Sequence, residues 1–409
     1  MNGRWFVVAL LAIAGVAFTL RAVYILTVTR HETELYDNYY YVNQSIIVGD
    51  GDGWATILLP EENADHPPLT VLTLAPVARA TDGSIEAMRF TVALAGVGAV
   101  VLLGLIGREI AGERVGLIAA GIGALYPNLW ANDGLVMAEA FAALLVAATV
   151  FCAYRLIRAP NLSNAVGLGL ACGLAMLARG ELALLVPFVA VPVAWRLREV
   201  ARRHRLELAG AVVLVAGLAV APWVAYNLSR FDEPVFLSTG DGNVLLGANC
   251  DAVYSGDLIG FWDAQCAIEG LLDDEDGSKD SSNQRELAFE YIGDHAGRVP
   301  LVMAARVGRT FSLYAPGQMA DANEGEGRPP WVSWLGFATY LAMVPLAFYG
   351  AVLLRRRDVA LLPLLGPIVL VVVVTALFYG IVRFRVPAEV SLVVLTAVGA
   401  DGLIARSRR

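Results

Sequence analysis

Apolar runs of about 20 residues recur along this chain of 409 residues, and nothing constrains its fold more. They fall near 5–28, 85–106, 114–131, 134–154, 164–179, 182–197, 207–227, 331–354, 359–379 and 385–404. A bilayer core about 30 Å thick is crossed by about 20 apolar residues in a helix. Inside lipid every backbone N–H and C=O must find its partner within the segment, which leaves helices for runs of this length. Charged residues make up 17% of the chain, against about 25% in ordinary soluble domains. These features predict an all-α polytopic membrane protein: one membrane domain over 1–409 with about ten transmembrane helices.

Basic residues favour the cytoplasmic side of a membrane. Arg4, Arg108, Arg114, Arg155 and Arg158 fall on one side of the predicted spans. So do the clusters at Arg196–Arg205, Arg355–Arg357 and Arg406–Arg409. This places both termini in the cytoplasm, with a first extracytoplasmic loop at 29–84 and a larger one at 228–330. Most carboxylates lie in those loops, so the net charge of −8 reflects an acidic outer face over a basic inner one. No basic surface suited to nucleic acid is present. The first span follows Met1-Asn2-Gly3-Arg4 without a convincing cleavage site, and is expected to be retained.

Within the first loop, residues 36–48 and 68–80 have apolar faces but are too short to span, and read as helices lying at the interface. Gly49–Gly53 turns the chain between them, and Pro67-Pro68 starts the second. The larger loop divides in three. Residues 228–260 carry strand-forming residues, 270–284 are acidic and expected to be mobile, and 285–315 have helical periodicity. That last stretch is expected at the membrane surface, because Arg306 and Arg309 are costly in lipid. Gly169 and Gly173, four apart, suit close helix packing. Cys250 and Cys266 share the larger loop and are candidates for a disulfide in an oxidising compartment, two free thiols being the alternative.

Several ionisable residues collect at the outer ends of the spans. Asp37 stands ahead of Tyr39, Tyr40 and Tyr41. A carboxylate there can act as a general base or cap the following helix, and both roles stay open. His66 before two prolines can orient a substrate or simply form a turn. Asp133 and Glu139, at the mouth of a span, are both functional candidates; Asp133 can also simply start a helix, whereas Glu139 lies further into the span. Arg179 and Glu181 flank Gly180, where a local ion pair is the simplest reading. Arg383 and Arg385 lie outside, against the charge rule; an anionic ligand or interfacial snorkelling would account for them. No P-loop, dinucleotide fingerprint, zinc-spaced His/Cys set or Gly-x-Ser-x-Gly elbow occurs.

In their order and spacing these segments resemble the GT-C class of membrane glycosyltransferases. The branch is family 39, with the protein O-mannosyltransferases and aminoarabinose transferases. The resemblance rests on Asp37 with Tyr40-Tyr41, Gly51-Asp52-Gly53-Trp54 and His66-Pro67-Pro68-Leu69. It continues through Tyr126-Pro127 with Glu139, Leu177-Ala178-Arg179-Gly180-Glu181, Pro222-Trp223 with Asn227, and Arg383-Phe384-Arg385-Val386-Pro387. The chain departs from that pattern at Asn38, where the family often has a second acid, and at Tyr226, where it has arginine. It also lacks a carboxy-terminal soluble domain, which counts against a large protein acceptor.

The resemblance implies a GT-C-like helix bundle with juxtamembrane helices in the first outer loop. It implies inverting transfer of a sugar from a polyprenyl-phosphate donor to a glycan, lipid or protein acceptor on the extracytoplasmic face. Asp37 would be the base. Tyr40, Tyr41, His66, Glu139, Arg179, Glu181, Arg383 and Arg385 would bind substrate, with the arginines on the leaving phosphate. No cofactor is called for, and a divalent cation stays open. The rival readings are a transporter or lipid-linked-sugar flippase, and a non-catalytic assembly protein. Transporter sites usually sit near the membrane midplane, whereas here the ionisable residues gather at span ends.

Overall fold

The computed structural model describes residues 3–30, 37–54, 64–197, 200–272 and 276–407. Glu34 and the acidic residues 273–275 lie outside the described residues. Helices account for nearly all regular structure. We label them α1 (Gly3–Tyr24, extended by a π turn to Thr29), α2 (Asp37–Asp50), α3 (Leu69–Ala80), α4 (Ile85–Ala111), α5 (Glu113–Leu125), α6 (Glu139–Arg158) and α7 (Leu162–Ala178). They continue as α8 (Arg202–Arg230), α9 (Gly240–Gly247), α10 (Gly277–Asp294), α11 (Val299–Thr310), α12 (Pro316–Gly325), α13 (Pro330–Arg356), α14 (Leu362–Leu377) and α15 (Val386–Ser407).

Among the described residues six helices are long and apolar enough to cross a membrane: Gly3–Thr29, Ile85–Ala111, Glu139–Arg158, Arg202–Arg230, Pro330–Arg356 and Val382–Ser407. The other expected spans are shorter. The run at 114–131 forms α5 only to Leu125, because Pro127 follows an extended Tyr126 and starts a separate turn. The next span begins at Glu139, not at 134, after a 3₁₀ turn over Asn132–Gly134. Residues 182–197 break into a 3₁₀ turn, a π turn and a short helix, with Pro187 and Pro192 at the joints.

Small residues set the helix spacing. A Cβ at Gly169 would lie 2.6 Å from the Val212 carbonyl, and one at Gly173 2.9 Å from that of Ala216, so both glycines seat α7 on α8. The tightest approach joins α13 and α15. There a Cβ at Gly350 would lie 1.9 Å from the Leu395 oxygen, and one at Gly399 2.1 Å from the Leu346 oxygen. Backbone sits opposite both, so no side chain can yield. Gly350→Ala is expected to cost about 1–3 kcal/mol of stability, read as a lowered thermal midpoint in detergent. Gly15→Ala, with nothing within 4 Å of the new methyl, is the control and should not lower it.

The larger loop folds differently from its sequence expectation. Val244-Leu245-Leu246 lie in α9, not in a strand, because Gly242 packs directly on the α10 backbone at Ser281. The polar run expected to be mobile instead starts α10. Asp276 accepts from the Ser278 N–H at 2.8 Å and caps that helix. Gln284, buried, donates to the Ala267 carbonyl at 2.9 Å. The periodic stretch 285–315 forms two helices, parted at His295–Arg298. Arg306 and Arg309 are buried in protein rather than lying at a surface, donating to the carbonyls of Ala376 and Ile259 respectively. Guanidinium donors thus satisfy a carbonyl in the last turn of α14 and one in the loop between α9 and α10.

Cys250 and Cys266 are joined, with Cα atoms 6.4 Å apart, inside the roughly 4.4–6.8 Å range that a disulfide spans. The bridge ties the segment after α9 to the turn before α10. Non-reducing mass mapping should return one bridged peptide pair. Reduction should lower stability by about 3 kcal/mol in the chain-entropy model, and recovery of both thiols free would count against the bridge.

Candidate active site

Helices α2 and α3 lie at the end of the bundle where α1, α7 and α14 finish, and they bring the first loop against the start of α15. Asp37 opens α2, so its carboxylate leaves the helix at the first turn. Its Oδ2 accepts from Arg383 Nη1 at 2.7 Å, and its Oδ1 lies 3.5 Å from His66 Nε2. The turn through Gly51 and Gly53, both at positive φ, and the Pro67-Pro68 start of α3 carry His66 back to this position. His66 stacks on Tyr41 (centroids 5.0 Å, 20° between planes) and meets Tyr40 edge-on at 4.9 Å.

Both tyrosines are buried while Asp37 keeps about a quarter of its side chain exposed. Burial pushes the Tyr41 hydroxyl well above its ordinary value, and the Asp37 charge adds to this. For Asp37, burial raises the carboxyl, but the Arg383 charge and then His66 outweigh it and hold the group well below the usual carboxylate range. Asp37 is therefore ionised, and it sits beside a wall of neutral phenols.

A second set of charges adjoins the first. Arg179, released at the end of α7, donates from Nη1 to Glu139 at 2.6 Å and from Nε to Glu181 at 2.5 Å. The Phe384 ring lies between Arg179 and Arg383, whose guanidinium carbons stand 5.2 and 5.8 Å from its centroid. Asp37, Tyr40, Tyr41, His66, Glu139, Arg179, Glu181 and Arg383 thus share one locality.

Arg385 does not join them. Its Nε donates to Glu389 at 2.6 Å, its Nη1 reaches the Thr310 carbonyl and Ser312, and Tyr340 lies 3.7 Å beneath it. The two arginines of Arg383-Phe384-Arg385 part because residues two apart in the 3₁₀ turn at Val382–Arg385 project in different directions. Arg385 is thus held by Glu389, Thr310 and Ser312, apart from Asp37 and Arg383. Asp133 stands apart as well, paired with Arg21 of α1 at 2.5 Å.

Glu326 and Arg328 went unread in the sequence. Glu326 Oε1 lies 3.3 Å from Arg383 Nη1, and its other oxygen holds Arg328, whose Nε donates to Asn132 at 2.9 Å. Their segment, Gly325-Glu326-Gly327-Arg328, carries no motif, and only the fold brings it to Arg383. Among the described residues no three or more His, Cys, Asp or Glu are grouped to hold a metal ion. The groups beside Asp37 are the Arg383 guanidinium and the His66 imidazole.

The family model for dolichyl-phosphate-mannose-protein mannosyltransferases matches residues 65–226. No curated protein matches the sequence. Solved structures match in fold. The archaeal oligosaccharyltransferase AglB from Archaeoglobus fulgidus, in complex with an inhibitory peptide and a dolichol-phosphate, superposes with a TM-score of 0.58 at 13% identity over 98% of this chain and 50% of that one. The apo form of the Archaeoglobus fulgidus oligosaccharyltransferase gives 0.60 at 15% identity over 99% and 51%. The chain thus spans about half the length of these structures. It has the fold of the GT-C membrane glycosyltransferases.

Proposed function

We propose that this protein transfers a sugar from a polyprenyl-phosphate donor to an acceptor hydroxyl or amine, with inversion, on the extracytoplasmic face. The observation that carries the reading is Asp37, ionised and partly exposed, held between Arg383 and His66 in a site backed by Arg179. The relatives by fold supply the donor class, since one was solved with a dolichol-phosphate.

The acceptor gives its proton to Asp37 as its oxygen or nitrogen bonds to the anomeric carbon. The bond from that carbon to the phosphate oxygen breaks, and its electron pair stays on the phosphate. Attack opposite the leaving group inverts the anomeric centre in one displacement. Arg383 and Arg179 stabilise the charge that develops on the phosphate. Arg383 Nε, buried and without a hydrogen-bond partner among the described residues, is one donor already at hand. When Arg383 turns to the phosphate it releases Asp37, which then becomes a stronger base at the moment the donor is in place. Glu139 Oε2, likewise buried and without a partner among the described residues, accepts from a substrate hydroxyl. The prenyl chain lies between the spans.

Purified protein in nanodiscs, given a panel of radiolabelled polyprenyl-phosphate sugars and acceptors, should move label from the lipid to a new product. No transfer from any donor would sink the reading. The sidedness has its own check. Gly293→Cys, at the exposed end of α10, should label with an impermeant maleimide only from outside the cell. Labelling only from the cytoplasm would invert the topology.

A further inference from the structure

Arg383 stands between a carboxylate that the reaction uses and one that it does not. Its Nη1 lies 2.7 Å from Asp37 Oδ2 and 3.3 Å from Glu326 Oε1. When Arg383 turns from Asp37 to the phosphate, its other partner decides whether it travels as a bare charge or a paired one. A guanidinium at this depth, 11% exposed, is costly without a negative group beside it.

Glu326 is held firmly for a residue between helices. Gly327 follows it at φ +87°, a conformation that favours glycine, and the turn sets Arg328 back on Glu326. The Gly327 N–H donates to the Glu324 carbonyl and the Arg328 N–H to that of Asn323, both at 2.9 Å. Arg328 is buried, and its Nη1 donates to Glu326 Oε2. Its Nε donates to Asn132 at 2.9 Å, and its Nη2 lies 3.7 Å from the Met137 sulfur. Asn132 adjoins Asp133, which pairs with Arg21 of α1 at 2.5 Å. The row Asp37, Arg383, Glu326, Arg328 thus alternates in charge, sums to zero, and is tied at its far end to the helix bundle.

We propose that Glu326 is the positioning residue for Arg383, keeping its charge paired as it passes from Asp37 to the phosphate. The role rests on the transferase reading, and Glu326 itself touches no reacting atom. When Asp37 takes the acceptor proton it becomes neutral, and the electron pair left on the leaving oxygen adds a charge to the phosphate. Arg383 then has the phosphate on one side and Glu326 on the other. Without the Glu326 charge, Asp37 would hold Arg383 more tightly and bind its proton less readily, as a weaker base. His66 ahead of α3, Tyr41 of α2 and Tyr379 beyond α14 also face Asp37, and the substitutions that test the role leave all three unchanged.

Carbodiimide adds to a protonated carboxyl. Its rate of addition to Asp37, located by mass mapping at one mildly acid pH, therefore reads the proton on that group without turnover. Glu326→Gln should slow the addition about three- to tenfold, the effect of drawing a positive charge onto a carboxylate. Glu326→Asp keeps the charge but sets it back, and should slow the addition only about twofold. Loss of a merely structural tie would free Arg383 and speed the addition, the direction expected of Arg383→Ala. Unchanged or faster addition in either variant overturns the role. Where a donor turns over, Glu326→Gln should also lower kcat about three- to tenfold and move the acid limb to lower pH, opposite to Arg383→Ala. A kcat and limb like wild type would overturn the role as well. Turnover with unchanged addition removes the role of Glu326 and leaves the transferase reading standing. Slowed addition where no donor turns over keeps the hold of Glu326 on Arg383 and removes the transferase reading. Unchanged addition without turnover removes both.

Discussion

Replacing Asp37 by asparagine should leave a folded, donor-binding protein whose turnover falls about 10²–10⁴-fold, the usual effect of losing a positioned general base. Asparagine caps a helix about as well as aspartate, so a capping role alone would cost little. It also keeps an oxygen that can accept from Arg383 at the 2.7 Å contact. Arg383 retains Glu326 as a charge partner at 3.3 Å, so no bare guanidinium is left in the site. Thermal midpoint and polyprenyl-phosphate binding should therefore stay near wild type while product formation fails. Retained turnover would return Asp37 to a structural role and move attention to Glu139 or to Glu34, the latter outside the described residues.

Arg383→Ala is the second large effect, and its signature differs. Removing a preorganised cation from a developing phosphate charge typically costs about 10²–10³-fold in kcat. Donor binding should weaken as well, since charge-assisted contacts to phosphate are lost. The variant also changes the pH profile. In the intact protein burial raises the Asp37 carboxyl, but Arg383 and His66 outweigh it and hold it well below its usual range. Asp37 is then a carboxylate throughout the neutral range, and its acid limb lies at low pH. Without Arg383 the largest lowering influence is gone and burial gains weight, so the acid limb should move to higher pH. Arg383→Lys should restore the limb toward its original position but not the full rate, because a point charge cannot reproduce the guanidinium fork. An Arg383→Ala profile of unchanged shape would show that Arg383 does not tune Asp37.

The two variants also separate the handover of Arg383 from a static ion pair. If Arg383 only braced Asp37, then Asp37→Asn and Arg383→Ala would each disturb stability and share one kinetic signature. If Arg383 passes from the carboxylate to the phosphate, Arg383→Ala should lower donor affinity and move the pH limb, whereas Asp37→Asn should keep donor affinity and abolish the limb.

Hydrophobic periodicity in the sequence was enough to define a helical membrane protein, since lipid permits only internally satisfied backbone and runs of this length then become helices. The two short helices of the first loop, α2 and α3, were legible too, because Gly49–Gly53 and Pro67-Pro68 are local signals whose effect does not depend on the rest of the fold. The first-loop residues Asp37, Tyr40, Tyr41 and His66 could be singled out because they stand close in sequence. What the sequence could not decide is which distant charge faces which. Arg383 and Arg385 are two residues apart and chemically identical, yet one meets Asp37 and the other is buried against Glu389. That division is made by a 3₁₀ turn and by the packing of α15 on α13. Glu326 reaches Arg383 only because α12 and α13 return the chain there, and the strand-forming residues of the larger loop became a helix because Gly242 fits against α10. Local chemistry is written residue by residue. Charge pairing across more than 300 residues of chain, as between Asp37 and Arg383, exists only once the helices have packed.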